Sequence, residues 1–184
     1  MSVGDTSRGT TAGAAPVRVR PATVDDAARL ADVARRLFHD TFAADNRPED
    51  MAAYEAATFS PARQRAEIAD PAGRVLVAEI GEAWAGYAHL ADGGPPPGVE
   101  GPAVELRRFY VDPAWHGRGV AQALMAAVRE AARARGARSL WLGVWERNRR
   151  AIAFYAKCGF ADVGAQTFTL GADVQTDRLM AVAP

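Results

Sequence analysis

The stretch Val104–Gln122, VELRRFYVDPAWHGRGVAQ, decides how the rest of the chain is read. Val104 to Val111 is rich in β-branched and aromatic residues, which suit a pleated, half-buried strand. Asp112 and Pro113 end that strand, because proline brings no N–H to a ladder and aspartate favours a turn. Residues 115–121, WHGRGVA, then lead into a long amphipathic helix from about Gly119 to Arg135. Val120, Leu124, Ala127, Val128 and Ala131 share one face of it, Arg129, Arg133 and Arg135 lie elsewhere, and Gly136 ends it. A strand, a glycine loop and a helix start in this order expose unpaired backbone N–H groups at the positive end of a helix dipole. That setting suits a phosphate group.

Two common phosphate loops do not match. No GxxxxGK[ST] run occurs, so the loop is not a P-loop. The dinucleotide pattern GxGxxG fails at its third glycine, where Gln122 stands. Taken alone, the stretch also allows a glycine turn that merely starts a helix.

Bulk properties narrow the rest. A chain of 184 residues is one domain's worth, enough for a sizeable core. Its 22 basic and 22 acidic residues leave a formal net charge of zero, so bulk electrostatics gives no sign of a nucleic-acid partner. No stretch approaches a transmembrane span. Residues 1–16, MSVGDTSRGTTAGAAP, lack the apolar run of a secretory signal and read as a disordered tail, with 17–184 as a single domain. Cys158 is the only cysteine, so no intrachain disulfide can form, which fits a reducing cytoplasm. It reads as a packed core thiol, since no motif supports a nucleophile. His39 and His89 lack metal-ligand company and read as structural.

In chain order, Val17 to Pro21 is a short strand, and residues 23–26 look like a capping box. Ala27, Leu30, Ala31, Ala34, Leu37 and Phe38 follow at helical spacing. Residues 46–50, NRPED, restart a helix that Met51 to Phe59 continues, and Ser60-Pro61 starts a third. Arg74 to Ile80 and Ala83 to Leu90 flank a Gly81-Glu82 hairpin turn. Residues 92–102, DGGPPPGVEGP, form a surface excursion. Ser139 to Val144 is a buried strand, Asn148 caps and Gly159 closes the next helix, and Phe160 to Leu170 and Gln175 to Val182 are two final strands. The order is β-α-α-α-β-β-β-α-β-α-β-β.

A second motif lies in residues 140–160, LWLGVWERNRRAIAFYAKCGF. Asn148, Ala151, Phe154, Tyr155, Lys157, Gly159 and Phe160 match N-x-x-A-x-x-F-Y-x-K-x-G-F, and His116, Gly119 and Ala121 match [Q/R]-x-x-G-x-[G/A] apart from the histidine. Both runs, in this order, resemble the GNAT superfamily of N-acetyltransferases. The resemblance covers essentially residues 17 to 182. It implies an α/β (α+β) fold with a mixed, mostly antiparallel twisted sheet and helices on both faces. A V-shaped splay between the Val104 and Leu140 strands would admit the pantetheine arm of acetyl-CoA, the implied cosubstrate. No metal or redox cofactor is indicated. The oligomeric state stays open, a homodimer included.

Acetyl transfer from a thioester to an amine explains why such residues are needed. An amine of pKa about 10.4 is mostly protonated at pH 7, and freeing its lone pair costs roughly 4–5 kcal/mol. A carboxylate can take that proton. Protonating a departing thiolate of pKa near 8.5 helps the tetrahedral intermediate collapse, and a tyrosine hydroxyl can supply the proton. The resemblance places Tyr155 at the position that points at the thioester sulfur, and Asn148, two helical turns earlier, against the pantetheine arm; Asn148 also reads as a helix cap. Glu105 is the candidate base, with pairing to Arg107 or Arg108 as the equal alternative. The resemblance further implies backbone contacts to pantetheine from Phe109 and Val111. For the pyrophosphate it implies N–H groups of Gly117, Arg118, Gly119, Ala121 and Gln122, with Arg118 adding charge. His116 is either a phosphate contact or a packed residue.

For the acceptor, residues 164–182, GAQTFTLGADVQTDRLMAV, with Gln175, Thr176 and Asp177 after a glycine turn, resemble the end of PaiA-type polyamine acetyltransferases. A polyamine site needs acidic lining, for which Asp45, Glu49, Asp50, Glu105 and Glu146 are the candidates. Alternatives are a protein N-terminus or lysine, another small amine, or a module that binds acetyl-CoA without chemistry.

Overall fold

The structure is a computed structural model that describes residues 15–184. The expected tail therefore falls almost wholly outside the described residues. Strands β1 (Val17–Pro21), β2 (Arg74–Ile80), β3 (Ala83–Ala91), β4 (Ala103–Val111), β5 (Ser139–Trp145), β6 (Ala161–Leu170) and β7 (Asp173–Val182) form one sheet. Helices α1 (Ala27–Phe42), α2 (Pro48–Thr58) and α3 (Pro61–Ala69) lie between β1 and β2, α4 (Val120–Ala134) follows β4, and α5 (Arg149–Lys157) follows β5. The strand order is β1-β2-β3-β4-β5-β7-β6, and only β4 and β5 pair in parallel. The element order and the mostly antiparallel sheet are those expected from the sequence. One local difference is at residues 23–26, where the capping box surrounds a 3₁₀ turn and α1 begins only at Ala27.

The period-two pattern of β2 separates two cores. Leu76, Ala78 and Ile80 join α4 residues Val120, Leu124 and Val128 on one face. Val75 and Val77 join Leu30, Ala34, Leu37 and Phe38 of α1 and Met51 of α2 on the other. Strand β4 changes parity within its own length. Leu106 pairs with Leu90 and Arg108 with His89, so Arg107 is an extra, bulged residue. The bulge lets Val104, Leu106, Phe109 and Val111 all serve the α4 core while Arg108 turns to the other face.

Arg108 there ties three elements together. Its Nη1 donates to Glu67 Oε2 on α3 at 2.5 Å and its Nη2 to Oε1 at 3.2 Å, and Arg63 Nε reaches the same Oε1 at 3.0 Å. Burial, the largest single effect, raises the Glu67 carboxyl, but the hydrogen bonds and charge of Arg108, with the smaller contributions of His89 and Arg63, together outweigh it and leave the pKa below the usual range. His89 on β3, only 3% exposed, lies beside them. Burial, and then the charge of Arg108, drive its pKa down from 6.5 to about 4. The unfolded histidine, with a pKa near 6.5, takes up its proton first as pH falls. This contribution to stability is thus complete above pH 6.5 and is lost between there and about 4. We expect the melting temperature to drop across that window, and His89→Gln to flatten the drop, as read by thermal unfolding from pH 7.5 to 4.5.

Candidate active site

The parallel ladder between β4 and β5 spans only Ala103, Val104 and Glu105 against Ser139, Leu140 and Trp141. Beyond these residues the strands part, and β5 stays in the sheet because β7 pairs along its far edge from Leu140 to Trp145. The gap opens a cavity of about 640 Å³ bounded by α1, α2, α5 and the β6–β7 hairpin.

One side of the cavity is built by α5 and the free edge of β4. Asn148, Phe154 and Tyr155 line it together with Phe109 and Val111. Asn148 starts α5 because its Oδ1 accepts the Ala151 N–H at 3.1 Å. Seven residues on, two turns of helix carry Tyr155 into the same cavity. The Tyr155 ring packs between Phe154 and Phe160, each 5.6 Å away between centroids, and is 8% exposed. Burial holds its phenol well above the usual pKa, so it stays protonated, and no hydrogen bond to a described residue contributes.

The loop before α4 forms a smaller hollow beside it, lined by His116, Gly117, Gly119, Ala121, Gln122 and Arg150 among others. Gly117 and Gly119 have φ of +77° and +79°, a left-handed backbone that only glycine adopts without strain, and it aims the loop amides outward. The N–H groups of Gly117, Gly119, Val120, Ala121 and Gln122 have no backbone acceptor among the described residues. Arg118 departs from expectation: its N–H bonds the Trp115 carbonyl at 3.4 Å and its guanidinium stacks 5.0 Å over the Trp115 ring, so it does not line the hollow. His116 is clasped on both sides. Its Nδ1 lies 2.7 Å from Arg150 Nη2 and its Nε2 3.1 Å from the Val111 carbonyl. Arginine can only donate, so Nδ1 accepts and Nε2 carries the proton. The Val111 carbonyl is thereby occupied from within the chain.

The far side of the cavity is aromatic. Phe42 meets Trp145 edge-on at 6.0 Å, and Tyr54 meets Phe168 at 5.8 Å. Glu105 lines the cavity, but its Oε2 accepts from Arg107 Nη2 at 2.7 Å and Nε at 3.2 Å. The pairing alternative for Glu105 is therefore the arrangement found. Asp177, on β7 opposite Trp145 and Gln166, also lines the cavity. Burial alone raises its carboxyl to about 6.

A family model described as "Acetyltransferase (GNAT) family" matches residues 33–160. An uncharacterised N-acetyltransferase of Mycobacterium tuberculosis is 39% identical over 84% of this chain and 96% of its own length. The chain belongs to the GNAT acetyltransferase family. The N-alpha-acetyltransferase RimI of the same organism is 30% identical over 91% of this chain and 95% of its own. The fold also matches a PaiA N-acetyltransferase from Thermoplasma acidophilum in complex with coenzyme A, with a TM-score of 0.74, 19% identity, and 92% and 99% of the two chains covered.

As a GNAT protein the chain is an acetyl-CoA-dependent N-acetyltransferase. The bare amides of the loop and the adjacent Arg150 fit the phosphates of that cosubstrate, and the splay fits a slender arm. Among the described residues no helix is long and apolar enough to cross a membrane, and no cluster of metal-ligating side chains occurs. The acidic candidates are dispersed. Of Asp45, Glu49, Asp50, Glu105 and Glu146, only Glu105 lines the cavity; Asp50 instead accepts the Ala172 N–H at 2.9 Å and anchors α2 to the β6–β7 turn.

Arg150 escaped the sequence reading, though it carried a signal: two arginines, 149 and 150, open α5, where the helix dipole disfavours cations unless an anion is near. Asp177 figures in that reading only within the C-terminal run of residues 175–177 and not among the acidic lining, because no local pattern shows which side of its strand faces the cavity. We expect nitrogen-15 NMR to find His116 with its proton on Nε2 at neutral pH, and Arg150→Ala to disturb that ring's signals.

Proposed function

We propose that the protein moves the acetyl group of acetyl-CoA to a primary amine of a small molecule by direct attack, with Tyr155 as general acid. The observation that carries this is the Tyr155 hydroxyl, kept protonated by burial and without a hydrogen bond to any described residue, in a cavity that the free edge of β4 also lines. A phenol in that state hydrogen-bonds to negative charge growing on sulfur and gives up its proton as the thiolate leaves.

The other residues hold the cosubstrate. The N–H groups of Gly117, Gly119, Ala121 and Gln122 take the pyrophosphate, with Arg150, steered by His116, adding positive charge. Phe109 offers backbone groups on the unpaired edge of β4, and Asn148 offers its Nδ2 while its Oδ1 caps α5. Arg118 and the Val111 carbonyl are engaged elsewhere and take no part. Glu105, bound to Arg107, shapes the floor of the cavity and is not assigned the base.

The polyamine reading of the C-terminal stretch depends on several unpaired carboxylates, and of the three that line the cavity Asp40 and Glu105 already face arginines, so a small amine of lower charge fits better. The relative named as an N-alpha-acetyltransferase favours a second reading, a peptide N-terminus as acceptor. Thiol release from acetyl-CoA should be measured with small amines, spermidine, and peptides bearing free N-termini. Turnover of small amines but not peptides supports the first reading, and turnover of peptides alone replaces it. Tyr155→Phe should lower kcat by roughly ten- to a thousandfold while calorimetry shows acetyl-CoA affinity kept. Unchanged turnover in that variant removes Tyr155 from the chemistry.

A further inference from the structure

We infer that Asp177 is the residue that receives the acceptor's ammonium group, and that the acceptor is an amine with a single positive charge on an aromatic or apolar body. This rests on the small-amine reading above and deepens it.

Three carboxylates line it: Asp40, Glu105 and Asp177. Asp40 lies 3.5 Å from Arg36, and Glu105 2.7 Å from Arg107. Arg108, also on the lining, is matched by Glu67 at 2.5 Å. Asp177 alone has no cationic partner among the described residues. The groups around it are neutral or occupied. Gln166 faces it from β6 and Trp145 from β5. Arg178, the next residue on β7, reaches Asp162 at 2.6 Å, and Arg147 lies 5.8 Å over the Trp145 ring. Glu146 donates its backbone N–H to the Thr176 carbonyl on β7.

The backbone leaves space for this carboxylate. A Cβ on Gly143 would stand 2.9 Å from Gln166 Nε2 and 3.2 Å from Asp177 Oδ2. Glycine at 143 therefore lets both side chains lie over β5 on the cavity side. A half-buried carboxylate without a cation is costly to maintain, and a bound ammonium offsets that cost. The walls beyond it, Phe42, Trp145, Tyr54 and Phe168, suit a flat apolar body and attract a cation by their faces. One unmatched carboxylate fits one ammonium. A polyamine, with three or four, would leave the rest without acidic partners.

Asp177 takes one proton from the ammonium and releases it to solvent. The freed nitrogen lone pair forms the C–N bond to the acetyl carbon, and the C–S bond breaks with its electron pair going to sulfur. Tyr155 gives its proton to that sulfur and regains one from the newly acylated nitrogen. The products are amide, free thiol and one proton.

Asp177→Asn keeps the shape and removes the charge. With 2-phenylethylamine as the probe, this variant should lose about a hundredfold or more in kcat/KM, with calorimetric acetyl-CoA affinity and melting temperature unchanged. In the parent protein kcat/KM should fall as pH drops below about 6, where Asp177 becomes protonated, and the variant should lack that limb. Glu105→Gln, made in parallel, should affect turnover less. An Asp177→Asn protein as active as the parent overturns the assignment. Spermidine turned over in preference to 2-phenylethylamine overturns the substrate class alone. If no amine releases thiol while acetyl-CoA still binds, the amine-transfer reading falls, and this proposal with it.

Discussion

The structure depends on a parallel ladder that stops after three residue pairs. A buried strand edge without a partner is costly, because each backbone N–H and C=O taken from water needs a hydrogen bond. Here the cost is limited on both sides. β5 is paired along its other edge by β7, so the parting from β4 does not split the sheet. β4 keeps its bonds to β3, with one bulge at Arg107 that preserves its apolar contacts to α4. The groups left over face a cavity, where solvent or a ligand satisfies them.

The same gap explains how chemistry is divided within the cavity. The glycine loop and Arg150 make the end near α4 electropositive, against the local preference of a helix start for acidic residues. Such a conflict between local propensity and observed sequence is what a functional site tends to leave behind. At the other end aromatic rings predominate and the charges are matched pairwise apart from Asp177. His116 links the strand to the loop by holding both Val111 and Arg150, so the residue that departs from the family's loop pattern has a structural task in this chain.

Away from the cavity, the Glu67–Arg108–His89 tie joins α3 to the two central strands. Removing one partner would strand a buried charge, which is more damaging than the pair is stabilising. Arg108 also borders the cavity and lies 5.4 Å over the Phe59 ring, so the support for the sheet and the wall of the acceptor side share a side chain.

The sequence by itself determined the element order and, within a residue or two, most of the strand and helix limits. These follow from local causes: alternation in β2, the apolar stripe of α4, the Asn148 cap and the glycines at 117 and 119. It also placed Tyr155 and the loop amides, because their motifs are contiguous runs whose geometry is set by one turn and one helix. Only the tertiary structure decided which charges are matched. Arg108 turns to Glu67 on α3 because a bulge at Arg107 changes the parity of the strand, the acidic residues of α2 point elsewhere, and Asp177 reaches the cavity because β7 pairs with β5. Ion pairing and burial depend on distances between segments far apart in the chain. Those distances come from sheet register and helix packing, and no local pattern of residues encodes them.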